Sequence, residues 1–187
     1  RNDKIPYESS SANAGMLLGK TNADLTVHGV LAYYNEDEYN SDHDSAVEVQ
    51  ASQVAGGIIG LVDGGKLSVK NSAAAVYVKG GSAAGGFIGS VSDVAESSSI
   101  VQSYAGGHTK DGAYDTEMNG SVPKNQGAGR YNVQASGNAG GFIGVTTNKI
   151  SMNAVYSTAS AYSTDVNKSG SFSGNTETNF GTAKNYY

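Results

Sequence analysis

Six of the chain's 17 acidic residues crowd between positions 36 and 48, in Asn35-Glu36-Asp37-Glu38-Tyr39-Asn40-Ser41-Asp42-His43-Asp44 and at Glu48. A hard cation takes several oxygens from one loop, so Asp37, Asp42 and Asp44 are candidate ligands for calcium, the one cofactor this chain suggests. Neither Asp37 nor Asp42 starts the alternating acids, central glycine and closing glutamate of an EF-hand loop. The plainer reading of the run is a solvated acidic insertion.

Tyrosine is the second chemistry. The chain has 12 tyrosines against 4 phenylalanines and no tryptophan. Tyr33, Tyr34 and Tyr39 gather around the acidic run, and Tyr114 and Tyr131 around a second polar stretch. Exposed tyrosine among Asn, Ser and Gly offers large contact area at low entropy cost, and it suits stacking on sugars. These five are the candidate ligand contacts; the plainer reading is that their rings cover the flank of the fold.

Other catalytic patterns are weak. His28, His43 and His108 belong to no His-Glu-x-x-His helix, and His28 beside Val27 fits an outward or hydrogen-bonded place. No Gly-x-Ser-x-Gly elbow occurs. Gly127-Ala128-Gly129 lacks the third glycine and helix start of a phosphate loop. A polysaccharide hydrolase needs facing acids about 5–10 Å apart. Asp63, Asp93, Glu96, Asp111, Asp115 and Glu117 are the candidates, with Asp63 and Asp93 in near-equivalent turns of successive repeats. A lyase acting on an acidic polymer would add a Lys/Arg cluster, which the sequence lacks. Thr26, Thr146-Thr147, Thr158 and Thr176/Thr178 share no register, which argues against an ice-binding array.

Composition narrows the classes. The absence of cysteine excludes disulfides, thiolate catalysis and cysteine-ligated metals. A formal charge of −5 argues against a nucleic-acid partner held by phosphate neutralisation. No apolar run approaches the roughly 20 residues of a membrane span, so no membrane insertion is expected. Arg1 to Tyr7 is not a secretory signal, and an exported chain would already have lost one. The composition suits a soluble, extracytoplasmic protein.

The elements that position these residues are repeats. Val49 to Gly60, Val78 to Gly89 and Val133 to Gly144 share a Gly-Gly, an apolar pair and a closing glycine. Ala14-Gly15-Met16-Leu17-Leu18-Gly19 is a fourth copy and Gly170-Ser171-Phe172-Ser173-Gly174 a degenerate fifth. The closing residues Gly19, Gly60, Gly89, Gly144 and Gly174 are separated by about 29–30 residues twice. The two longer gaps hold insertions, about 33–44 and 109–130, of the kind that become loops on one face. In the second half of the unit, Ile150 and Tyr156 of the fourth copy match Ile100 and Tyr104 of the third, which has a longer serine-rich turn before them.

Leu25/Val27, Leu67/Val69, Val76/Val78 and Ile150/Met152 alternate with period two, the mark of half-buried strands. No long stretch carries a helical stripe free of glycine. A unit this small cannot bury its own apolar face, so the chain is expected to be all-β, a parallel β-solenoid of about five stacked rungs in one domain over 1–187. Gly57, Gly60, Gly86, Gly89, Gly141 and Gly144 would supply backbone angles closed to other residues and close approach between rungs. Ile59, Phe87, Ile88, Phe142 and Ile143 would fill the interior, with runs such as Ala73-Ala74-Ala75 where space is tight. Pro6 and Pro123 fall outside the repeats. The chain starts and stops in repeat register without an obvious cap, as a segment of a longer array or a stacking subunit would.

The glycine-bounded apolar pair, with the polar turn and Ile-to-Tyr segment that follow it, resembles the GLUG-repeat proteins over roughly 8–108 and 131–187. These are bacterial surface and secreted proteins, including adhesins and non-catalytic regions of IgA-protease-like proteins. A cysteine often precedes the tyrosine there; here that place holds Ser103, Val155 or Asn185. The resemblance implies a right-handed β-solenoid in an extracellular or bacterial cell-surface setting and transfers no catalytic residue. The function expected is non-enzymatic: an adhesin or ligand-presenting stalk binding a host glycan, or a protein such as an immunoglobulin or matrix protein, through its inserted loops. The alternatives are a self-assembling structural subunit that stacks on flanking repeats or like subunits, and a polysaccharide-active solenoid enzyme.

Overall fold

A computed structural model of the chain describes residues 12–33, 48–106 and 132–175. These residues are all-β apart from one 3-10 turn, Val166–Lys168. The first repeat runs β1 (Asn13–Gly15), β2 (Leu18–Thr21), β3 (Leu25–His28), β4 (Leu31–Tyr33) and β5 (Glu48–Gln50). The second runs β6 (Val54–Gly56), β7 (Ile59–Asp63), β8 (Leu67–Lys70), β9 (Ala73–Ala75) and β10 (Tyr77–Gly80). In the third, β11 (Ala83–Gly85) and β12 (Ile88–Ser92) precede a long β13 (Ser99–Ala105) and β14 (Val133–Ala135). The fourth has β15 (Asn138–Gly140), β16 (Ile143–Thr146), β17 (Ser151–Ser157) and β18 (Ala161–Ser163), and β19 (Ser169–Gly170) opens a fifth.

All the pairings between these strands are parallel, and each joins a strand to its counterpart one repeat away. Four sheets result: β1-β6-β11-β15-β19, β2-β7-β12-β16, β5-β10-β14-β18, and a fourth in which β13 and β17 continue both the β3-β8 and the β4-β9 rows. The pattern is compatible with the expected β-solenoid. Register follows the glycines: Gly15, Gly56, Gly85, Gly140 and Gly170 lie side by side, as do Leu18, Ile59, Ile88 and Ile143.

Large apolar side chains stack on their equivalents. Phe87, Phe142 and Phe172 form a continuous pile, with centroid separations of 4.8 and 5.1 Å and nearly parallel rings. Phe87 and Phe142 are fully buried, together with Ile58, Ile59, Ile88 and Ile143. Their backbones form a matching ladder, in which Ile58 N–H donates to Phe87 O, Phe87 to Phe142 and Phe142 to Phe172, each at 2.9 Å. Val49, Val76, Val78, Val133 and several alanines form a second, smaller buried cluster.

Close approach alone explains the Gly-Gly pair. A Cβ on Gly57 would fall on the carbonyl oxygen of Gly86, one on Gly86 on that of Gly141, and one on Gly141 on that of Ser171. Facing them, the Cβ atoms of Ala74 and Ala105 lie 3.0 and 3.1 Å from the positions a Cβ on Gly57 and on Gly86 would take, so the opposite wall must be small too. The expectation of unusual backbone angles at these glycines is corrected. Positive φ among the described glycines occurs at Gly29, Gly64 and Gly65, whereas Gly57, Gly60, Gly86, Gly89, Gly141 and Gly144 have none.

Two alignments are also corrected. Ile100 pairs with Val69 and Met152, so Ile150 is not its counterpart. Ser98 takes that place, fully buried, its Oγ accepting from Leu67 N–H at 3.0 Å. The turn after Gly89 is three residues longer than the one after Gly144, so Ser98, six places before Tyr104, matches Ile150, six places before Tyr156. Tyr33 belongs to β4, paired with Ala75, so the first insertion starts after it.

Candidate functional site

In each of the first four repeats the chain turns a corner on a residue in the left-handed region: Gly29 at φ 69°, Asn71 at 51°, Gln102 at 49° and Ala154 at 53°. The next residue points inward and pins the corner. Ser72 Oγ accepts from Val30 N–H at 3.2 Å and donates to Lys70 O, while Ser103 Oγ accepts from Ser72 N–H at 3.3 Å and donates to Val101 O. These hydroxyls satisfy backbone groups that the bend removes from the strand ladder.

The corner resets the alternation of side chains, and the position after the inward residue turns to the outer face, where Leu31 and Tyr156 are exposed, Tyr104 is half-buried and Ala73 is covered. Leu31, Ala73, Tyr104 and Tyr156 occupy that position on four adjacent strands. Tyr104 and Tyr156 stack with centroids 5.2 Å apart and planes within 5°. Leu31 is 59% exposed, Tyr33 57% and Tyr156 44%, which puts three of the five exposed large hydrophobic residues among those described on this one face. Ala73 and Ala75 form a low strip between the first-repeat pair and the tyrosine stack. A Cβ on Gly106 would stand 3.2 Å from Ala75 Cβ and 3.3 Å from the Tyr104 ring, so the floor there is small as well.

The face carries no formal charge: 30–33, 72–76, 103–106 and 155–159 hold no acidic or basic residue, on a chain of charge −5. At its border, the exposed His28 Nε2 lies 3.2 Å from Asn71 Nδ2, and Lys70 is exposed beside them. Such a surface can stack on and desolvate neutral, partly apolar ligand groups. Both insertions leave the repeats at its edge, after Tyr33 and after Gly106.

Of the residues singled out from sequence, Tyr33 lies on this face. Tyr34, Tyr39, Tyr114 and Tyr131 fall outside the described residues, as do Asp37, Asp42 and Asp44, His43 and His108, and Asp111, Asp115 and Glu117. Among the described residues no group of three or more His, Asp or Glu side chains could hold a metal ion. Tyr104, Tyr156 and Leu31 were missed as contact residues. The signal that finds the two tyrosines is their place three residues after Val101 and Asn153, once the corner is known to cost one step of alternation.

Asp63 and Asp93 lie one register step apart on neighbouring repeats. Asp63 pairs in register with Ser92, and Asp93 sits at an exposed turn with φ 54°. Asp63 is already engaged: Lys20 Nζ lies 3.0 Å from its Oδ2, and Ser92 Oγ donates to its Oδ1 at 2.9 Å. Lys20's hydrogen bond first, then that of Ser92 and then the charge of Lys20, hold the carboxyl below its ordinary range. That chemistry ties three successive repeats together, on a different sheet from the tyrosines. No family model, curated protein or solved structure matches the chain.

Proposed function

We propose that the chain is a non-enzymatic repeat module of an extracellular or cell-surface protein, a right-handed parallel β-solenoid that holds a ligand on its tyrosine face and on the insertions beside it. One-repeat parallel pairing supports the solenoid, and the strong right-handed preference of parallel crossovers supports its hand. The resemblance to GLUG-repeat adhesins supports the setting. The observation that carries the ligand reading is the uncharged Leu31–Tyr33–Tyr104–Tyr156 surface, bordered by the exits of both insertions. Neutral glycan is the ligand class this surface favours, with an immunoglobulin or matrix protein as the alternative partner.

The test is binding of the chain to a glycan array, mucins, immunoglobulin and matrix proteins, beside a Tyr104→Ala/Tyr156→Ala variant and a deletion of 109–130. The double variant is expected to lose about tenfold or more in affinity while still folding cooperatively, its unfolding midpoint lowered only by the loss of the ring stack. Wild-type protein that binds nothing on the panel, or variants that bind as well as wild type, would end this reading.

A second reading, a subunit stacking on flanking repeats or like chains, is favoured by one observation. Met16 and Leu17 are 47% and 50% exposed, although their equivalents Gly57 and Ile58 are buried. Concentration-dependent assembly seen by sedimentation, lost in Leu17→Glu, would support it.

A further inference from the structure

We propose that Tyr104 and Tyr156 are a site of oxidative cross-linking, forming a dityrosine bond between neighbouring repeats when a haem peroxidase and hydrogen peroxide act on the protein. The proposal stands on ring geometry and not on the ligand reading. The two residues are register partners on parallel strands, so their rings leave the sheet side by side in the same direction. Their planes are within 5° and their centroids 5.2 Å apart, so the two phenol rings lie face to face at one ring spacing. Tyr156 is 44% exposed and Tyr104 half-buried, so both phenols are open to an oxidant. The fold has already met the entropy of bringing the partners together, and this favours coupling within the pair over coupling between molecules.

The chemistry balances. Each phenol gives up one electron and one proton and becomes a phenoxyl radical. The radicals join through their ortho carbons, Cε of Tyr104 to Cε of Tyr156, and the hydrogen on each joined carbon moves to oxygen as the rings regain aromaticity. The two electrons and two protons reduce one hydrogen peroxide to two waters. The product is a covalent staple from β13 to β17 across the chain segment that contains the second insertion. It constrains the unfolded chain as other long-loop cross-links do.

The experiment is brief treatment of dilute protein with a haem peroxidase and hydrogen peroxide, followed by proteolysis, mass spectrometry and dityrosine fluorescence. The expected product is monomeric, lighter by two hydrogens, with the peptides holding Tyr104 and Tyr156 joined and with a raised unfolding midpoint. Tyr104→Phe and Tyr156→Phe preserve the stack and should each abolish that joined peptide, whereas Tyr33→Phe should leave it. Unfolding in urea before oxidation should also abolish it. Dityrosine that maps to other tyrosines with none between 104 and 156, or an equal 104–156 yield from the unfolded chain, would overturn the proposal.

Discussion

Gln102 and Ala154 stand side by side at one corner of two neighbouring strands, and both hold the left-handed conformation, at φ 49° and 53°. A non-glycine residue there costs about 1–2 kcal/mol, and Ala154 has no side-chain polar group to offset it. Ala154→Gly should therefore stabilise the protein by about 0.5 kcal/mol, the relief of strain exceeding the added freedom of the unfolded chain. Gly29→Ala, at the equivalent corner, isolates the angle, because its Cβ would meet nothing within 4 Å. It should lose about 1 kcal/mol. Urea unfolding at constant m-value measures both, and an unchanged midpoint for Gly29→Ala would refute the strain argument.

Phe142 lies between Phe87 and Phe172 in the ring pile, fully buried, whereas Phe172 is partly exposed. Phe142→Ala removes both ring contacts and leaves a cavity between rigid layers, for a loss of about 4 kcal/mol. Phe172→Ala should lose clearly less, since solvent already reaches that ring. Equal losses at the two positions, measured by chemical denaturation, would contradict a core stacked repeat on repeat.

Gly86 sits where backbone passes over backbone, with the Gly141 carbonyl on one side and Ala105 on the other. Neither neighbour can rotate away, so even Gly86→Ala should lose about 3 kcal/mol or more and reduce the soluble yield. Gly86→Ala in an Ala105→Gly background tests the geometry further. Relief of the side-chain contact should recover only a minor part, because the carbonyl remains. Full recovery would place the constraint on the wrong wall.

The glycine ladder was legible in sequence because a missing Cβ leaves a letter: no other residue satisfies Gly57, Gly86 and Gly141. The burial of Phe87 and Phe142 was legible for the same reason, each following its Gly-Gly pair; Phe172 follows Ser171 in the degenerate copy, and the pile it completes was not. The corner was not. Asn71, Gln102 and Ala154 share an angle but no residue type, since serine hydroxyls and neighbouring strands impose the bend from outside. Period-two counting from the buried Ile100 therefore sends Tyr104 inward, whereas the corner inserts one residue and turns it to solvent. The same blindness hid the Tyr104–Tyr156 face, whereas the longer turn of the third repeat hid the true counterpart of Ile150.

Lys20, Asp63 and Ser92 come from β2, β7 and β12, so one carboxylate joins three successive repeats on a single sheet. Its partners favour the charged form and hold its pKa below the ordinary 3.8. A carboxyl with a lowered folded-state value stabilises the protein above the ordinary value, and that contribution disappears as pH falls through the lowered one. The group is exposed, so salt should weaken the effect. Following the Asp63 carboxyl by NMR, Lys20→Ala should raise its midpoint more than Ser92→Ala, in the order of the two hydrogen bonds. The stability difference between wild type and Asp63→Asn should vanish in acid. An unshifted wild-type midpoint, or a shift insensitive to Lys20, would mean that the ion pair does not hold β2 to β7, leaving register on that sheet to the glycines and the apolar pile alone.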